Sequence, residues 1–299
     1  MSKPPLPMEK EVEQTAIRIT ALTVRYRKSS LPVLDALYWT AGVGVHVLLG
    51  PRGAGKSTLL RVLAGQLPPV HGRVVVADHD VAREAQGMRA DVGYLTPQLQ
   101  LPERMTVRQW LGCPTRSGPV GAEQVAAVVD LLALRHCLDN RLGDLTIGPC
   151  RRAALGRALV RKPRVLLLDE PTAGLDPLER ARMQAILRCV ARSTCVVIAT
   201  NLLGDAAALG GHGVVLFGGR ILAAFPMGDL AGCARGQVWE VRSAVGSGAY
   251  RVEGTRDPGV LRLVGTLPPG VDAQAVEPTV EDGYLLLLLC AREETQLPV

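Results

Sequence analysis

The sequence predicts an α/β fold with a largely parallel, buried sheet at its centre and a smaller α+β unit towards its C-terminal end. Three observations carry that prediction. An apolar run, Val43 to Leu49, passes through Gly50-Pro51-Arg52-Gly53-Ala54-Gly55-Lys56-Ser57-Thr58 into a helical pattern that opens Leu59-Leu60. A second apolar run, Val165 to Leu168, ends in Asp169-Glu170-Pro171. From about Ala231 the texture changes to short alternating runs separated by Gly, Pro and Ser. Runs apolar on both faces suit strands covered on both sides, as in parallel sheets.

Taken in order, Ile17 to Tyr26 reads as an early strand, followed by strands at Val43–Leu49 and Arg73–Ala77. Gln100 to Asn140 reads as helical, with Val125, Val128, Val129, Leu132 and Leu134 giving a broad apolar face. A helix is expected over Asp176–Ser193 and another buried strand over Cys195–Thr200. Gly218-Gly219-Arg220 marks a hairpin turn between Val214–Phe217 and Ile221–Ala224. Beyond residue 231, Val238–Val241, Tyr250–Val252 and Val260–Val264 read as short strands. Thr279-Val280-Glu281-Asp282 then caps a last apolar helix, Gly283–Glu293.

The chemistry lies at the ends of the two apolar runs. Gly50 to Thr58 has the pattern G-x-x-x-x-G-K-[ST] between strand and helix, the context a phosphate loop requires. Glycines let successive backbone N–H groups point at phosphate oxygens, and the helix N-terminus adds its positive dipole. Lys56 is expected to reach the β- and γ-phosphates and Ser57 to hold Mg²⁺. Asp169 is expected in the Mg²⁺ shell, and Glu170 as the general base that polarises an attacking water. Carboxylates at the C-terminal end of a buried strand lie where open α/β sheets bind ligands. A dinucleotide-binding reading fails, because the glycines are wrongly spaced and Lys56-Ser57 has no use there.

Composition narrows the class. The chain has 299 residues, enough for one large and one small domain, and 47% hydrophobic residues with only two Phe imply an aliphatic core. The net charge of +6 comes without a run of like charges or a nucleic-acid-reading motif, so no nucleic-acid partner is expected. The seven cysteines are scattered without C-x-x-C spacing, which suits reduced thiols. Met1 to Gln14 is Pro-rich and charged, reads as a flexible segment, and lacks the apolar core of a signal peptide. The run Leu285–Ala291 is too short to span a bilayer, which takes about 20 residues.

The two motifs, with Thr172-Ala173-Gly174-Leu175-Asp176-Pro177 directly after the acidic strand, resemble the nucleotide-binding subunit of ABC transporters over roughly residues 15–230. The resemblance implies a P-loop NTPase of ABC ATPase type, with a mixed/parallel sheet core, an antiparallel β subdomain and a helical subdomain at about 100–160. Residues 231–299 are then a C-terminal accessory domain. It implies ATP and Mg²⁺ as cofactors and an adenine stacked on Tyr26. It also implies a second ABC ATPase subunit, in a homo- or heterodimer, and an integral-membrane permease that holds the chain at the cytoplasmic face of the membrane. The stretch Glu277-Pro278-Thr279-x-Glu281-Asp282-Gly283-Tyr284-Leu285 resembles the tail of exporter-type members.

Three positions depart from the family pattern. The signature segment falls at Leu145-Thr146-Ile147-Gly148-Pro149, where Ile147 adds a branched side chain and Pro149 removes an N–H donor. The helix itself is compatible with Pro near its start. Asn201 stands where the family has its switch histidine; Asn can hydrogen-bond a γ-phosphate but cannot carry charge or relay a proton. The glutamine loop places Pro97 at the glutamine position and Gln98 one residue late, so Gln98 meets the Mg²⁺ shell only after a loop adjustment. Each lost contact to developing charge costs on the order of 2–4 kcal/mol. The expectation is retained ATP binding with slowed hydrolysis in an exporter subunit; the alternative is an ATP-sensing module with negligible turnover.

Overall fold

A computed structural model of the protein describes residues 15–26, 31–115, 118–241, 250–252, 260–267 and 269–295. The segment 1–14 lies outside the described residues. A six-stranded sheet forms the centre, in the order β10-β9-β3-β8-β7-β6: Arg220–Pro226, His212–Phe217, Gly44–Leu49, Cys195–Ala199, Val165–Asp169 and Val92–Leu95. Pairing is parallel from β9 through β6 and antiparallel only at the β9–β10 hairpin. β7 and β8 are buried at every position, and β3 at all but its first residue, as their unbroken apolar runs require.

Alternation along these strands feeds two cores. Val47, Leu49, Leu166, Leu168, Val196 and Ile198 face one way. They pack on a layer that includes α4 (Ile147–Leu159), α5 (Pro177–Val190) and α6 (Leu203–Leu209). Leu48, Leu167 and Val197 face the other way. There they meet α1 (Lys56–Leu63) and a second, antiparallel sheet. That sheet has the order β2-β1-β4-β5: Leu34–Gly42, Thr15–Val24, His71–Val76 and His79–Asp80. Its second strand, β2, is absent from the sequence reading. Ala36, at φ 49, breaks the strand's register midway and disguises its alternation.

The expected helical stretch 100–140 is corrected. Among the described residues only α2 (Val107–Gly112) and α3 (Ala122–Leu131) are α-helical there. Pro114 and Pro119 lack N–H donors, and Gly118 turns the chain at φ +117, so the apolar face is carried by two short helices and 3₁₀ turns.

The C-terminal residues form a four-stranded antiparallel sheet, β12-β13-β11-β14 (Tyr250–Val252, Leu261–Val264, Val238–Val241, Ala273–Ala275), with α7 (Val280–Thr295) beside it. The helix begins three residues before the Gly283 expected from the sequence. At its start the Asp282 N–H donates to Thr279 Oγ1 while Asp282 Oδ2 accepts from Thr279 N–H at 2.7 Å. Val280, Tyr284, Leu287 and Leu288 of α7 pack onto the first core.

Candidate functional site

The candidate site collects at the C-terminal ends of β3, β7 and β8, neighbours in one parallel sheet. The chain leaves β3 at Gly50, φ +152, where a Cβ would overlap the Leu216 carbonyl oxygen. It enters α1 from Gly55, φ +104, where a Cβ would lie 2.6 Å from Leu34 Cδ2. Both positions exclude side chains for steric and conformational reasons together. Between them Pro51 accepts from the Ala54 N–H at 3.2 Å, Ala54 is buried, and Arg52 and Gly53 face solvent. No side chain caps α1, so its first N–H groups remain available for an anion.

Lys56 is buried, and its Nζ donates to Gly50 O at 2.5 Å, Pro51 O at 3.0 Å and Asn201 Oδ1 at 2.7 Å. Burial lowers its pKa, against the attraction of Glu170 and Asp169. Ser57 hydrogen-bonds the buried Asp169, whose pKa is raised chiefly by burial. Asp169 Oδ2 is buried with no hydrogen-bond partner among the described residues. Native interiors leave few polar atoms in that condition, and an ordered water or ion is the usual remedy. Ser57 and Asp169 therefore fit Mg²⁺, a cation that takes a few protein oxygens and completes its shell with water and phosphate.

Glu170 sits at φ 50, a left-handed conformation unusual for a residue with a Cβ. Its N–H donates to Ala199 O at 2.9 Å, and its carbonyl accepts from Arg151 Nη1 at 3.2 Å. Its carboxylate accepts from the Asn201 N–H at 3.0 Å and the Thr200 hydroxyl at 3.2 Å. Burial raises its pKa, and these hydrogen bonds oppose the rise.

The Tyr26 hydroxyl lies 3.2 Å from Thr58 Oγ1 and accepts from Arg61 Nη1 at 3.3 Å, which seats the residue over the first turn of α1. Gln98 is not gathered in. It is exposed, its carbonyl accepts from Thr96 Oγ1 at 2.8 Å, and its carboxamide makes no hydrogen bond among the described residues. Pro97 precedes it on the exposed turn and carries no N–H to draw the loop inward. Tyr94, on β6, comes nearer: burial and the neighbouring Asp169 charge push its pKa up to about 12. Sequence reading did not single out Tyr94, Thr200 or Arg151, since each acquires its place through pairing across the sheet or between helices.

The signature segment forms the start of α4, with Thr146 at its N-cap and Pro149 at the third helical position rather than the first. Pro149 removes the N–H that an N-cap hydroxyl would accept from, and Thr146 makes no side-chain cap. The helix still closes, through Cys150 N–H to Thr146 O at 3.0 Å. Ile147 is 46% exposed. A Cβ on the buried Gly148 would lie 2.6 Å from the Glu179 carboxyl carbon, so α5 approaches α4 there, joined by an ion pair between the buried Arg152 and the half-buried Glu179.

A family model described as ABC transporter matches residues 41–173. The daunorubicin resistance ATP-binding protein DrrA3 of Streptomyces coeruleorubidus is 38% identical over 216 residues, covering 70% of this chain and 67% of that protein. The Nod factor export ATP-binding protein I of Rhizobium etli is 31% identical over 296 residues, covering 91% of this chain and 93% of that protein. An ATP-bound bacterial Atm1-family ABC exporter superposes with a TM-score of 0.64 at 23% identity, over 77% of this chain and 41% of that one. A dimeric ATP-binding cassette in a post-hydrolysis state with ADP and Pi gives 0.63 at 21% identity, over 70% and 98%. The solved structures establish the fold, and the sequence relatives establish the family. The chain belongs to the ATP-binding subunits of ABC transporters and is an ABC-type ATPase.

Proposed function

We propose that the chain binds Mg-ATP on the 50–58 loop, hydrolyses it slowly, and drives export through a separate integral-membrane permease from the cytoplasmic face. The carrying observation is the set Lys56, Asp169, Glu170 and Asn201, brought together with one buried Asp169 oxygen left unpartnered. Lys56 exchanges two carbonyls and Asn201 for phosphate oxygens, and the free amides at the start of α1 take the remainder. Tyr26 bears on the adenine. Ser57 and Asp169 would hold Mg²⁺, which would supply neutralisation of phosphate charge. Glu170, raised in pKa by burial, orients the attacking water and accepts its proton.

Export is supported by the similarity to Nod factor export ATP-binding protein I of Rhizobium etli, which covers 91% of this chain and 93% of that protein. Similarity over the cassette alone does not separate directions, since a molybdenum import ATP-binding protein of Rhodopseudomonas palustris is 34% identical over 210 residues. A second ATPase subunit completes the site in this reading. Thr146 offers it an uncapped hydroxyl, while Ile147 and Pro149 weaken what this chain gives in return.

Turnover of the purified protein, compared with Glu170→Gln, tests the proposal. A loss of on the order of 10²-fold or more in kcat with ATP affinity retained is expected. Equal rates would remove Glu170 from the chemistry. A second reading, an ATP sensor without useful turnover, is favoured by the Lys56–Asn201 hydrogen bond, which a neutral switch residue can make without any proton relay. Brisk hydrolysis by the unmodified protein eliminates it.

A further inference from the structure

A buried polar cluster joins the turn that follows Glu170 to the first turn of α6. Asp205, in the first turn of α6, is 3% exposed, and Thr172 and Gln184 around it are buried as well. The Thr172 hydroxyl donates to Asp205 Oδ2, and Gln184 Nε2 donates to Asp205 Oδ1 at 2.9 Å. Arg180 Nε stands 3.7 Å from the same Oδ1. Burying a carboxylate is costly unless its oxygens are met, and replacing such a group by apolar packing is often neutral or stabilising. A buried acid joining three elements therefore invites a reason beyond stability.

The connectivity supplies one. Thr172 follows Glu170 by two residues on the turn leaving β7, and Gln184 and Arg180 lie on α5, which that turn enters. Asp205 follows Thr200 and Asn201 on the turn leaving β8. Its N–H donates to Leu202 O at 3.1 Å, and the Leu202 N–H donates to Thr200 Oγ1 at 3.0 Å. Thr200 in turn donates to Glu170. The two turns are thus closed into a ring, hydrogen-bonded at Glu170 on one side and at Asp205 on the other.

We infer that Asp205 is a positioning residue for ATP hydrolysis: through Thr172 and Gln184 it clamps the turn that bears Glu170 to the turn that bears Thr200 and Asn201. The inference rests on the reading of Glu170 as the base. The clamp keeps the carboxylate against its two donors, the Thr200 hydroxyl and the Asn201 N–H. Releasing the clamp lets the Glu170 carboxylate turn away from those donors, so that it no longer lies where an attacking water must be oriented.

The test is single-turnover hydrolysis of labelled ATP by the full chain, with ATP affinity measured in parallel. The variants are Asp205→Ala, Thr172→Val and Asp205→Asn, with Glu170→Gln as reference. Asp205→Ala and Thr172→Val are expected to slow hydrolysis by on the order of 10- to 100-fold, with ATP affinity within about twofold. Asp205→Asn, which can accept from Gln184 and donate to a reoriented Thr172 hydroxyl, is expected to recover most of the rate. An equal loss of rate in Asp205→Asn and Asp205→Ala, or an unchanged rate in Thr172→Val, overturns the clamp. If Glu170→Gln hydrolyses as fast as the unmodified protein, it is the reading of Glu170 that falls.

Discussion

Glu170 occupies a left-handed backbone conformation that costs of order 1–3 kcal/mol for a residue with a side chain. The strain is held by the Ala199 carbonyl and by Arg151, and it turns the carboxylate onto Thr200 and Asn201. Since burial lifts its pKa above the ordinary glutamate range, and a base must be ionised, kcat/KM is expected to fall as pH drops through that raised value. A pH–rate profile checks this; an acid limb at the pH of an exposed glutamate contradicts it. Asn201 is the other residue on which rate depends. Asn201→His restores a group that can carry charge and is expected to raise turnover by on the order of 10²-fold, read against unchanged ATP affinity. An unaltered rate would show that the neutral side chain costs nothing.

At the scale of elements, what could be read from the sequence was local. The phosphate loop, the acidic strand, the β9–β10 hairpin and the capped start of α7 each carry their signal within about ten residues; the first three stand where expected, and α7 begins three residues early. What could not be read depends on partners far along the chain. Thr172 meets Asp205 across 33 positions and Arg152 meets Glu179 across 27, and no spacing rule announces such pairs. Gln98 illustrates the limit from the other side, because a one-residue offset left it on the surface instead of in the site.

The same scale explains the tail motif. Gly283 lets α7 lie against the backbone at Leu230, where a Cβ would overlap the carbonyl oxygen. Asp282 is buried, which alone would raise its pKa, but Arg262 and then Thr279 outweigh burial and hold it below the usual aspartate range. A carboxyl depressed on folding contributes stability above its unfolded pKa and loses that contribution as pH falls through the folded value. The docking of α7 is therefore expected to weaken only under acid conditions, below the ordinary aspartate range, and Asp282→Asn to weaken it already at neutral pH. Hydrogen exchange of the α7 amides reads both, and equal protection in the variant and the unmodified protein would refute the role of the pair.

The whole molecule sets a parallel sheet between two cores so that three strand ends deliver a lysine, two carboxylates and a switch-position amide to one place. The antiparallel sheet brings Tyr26 to the rim of that place, and α7 packs on the opposite core beside α6. Slow hydrolysis, a clamp and a permease all presuppose that nucleotide binds where these strands end. Calorimetric titration of the full chain with Mg-ATP, beside the same titration of Lys56→Ala, examines this most directly. Saturable heat that weakens by on the order of 10- to 100-fold in the variant is expected, as for the loss of a hydrogen bond to a charged group. No saturable heat at millimolar Mg-ATP, or equal affinity in the two proteins, would contradict it.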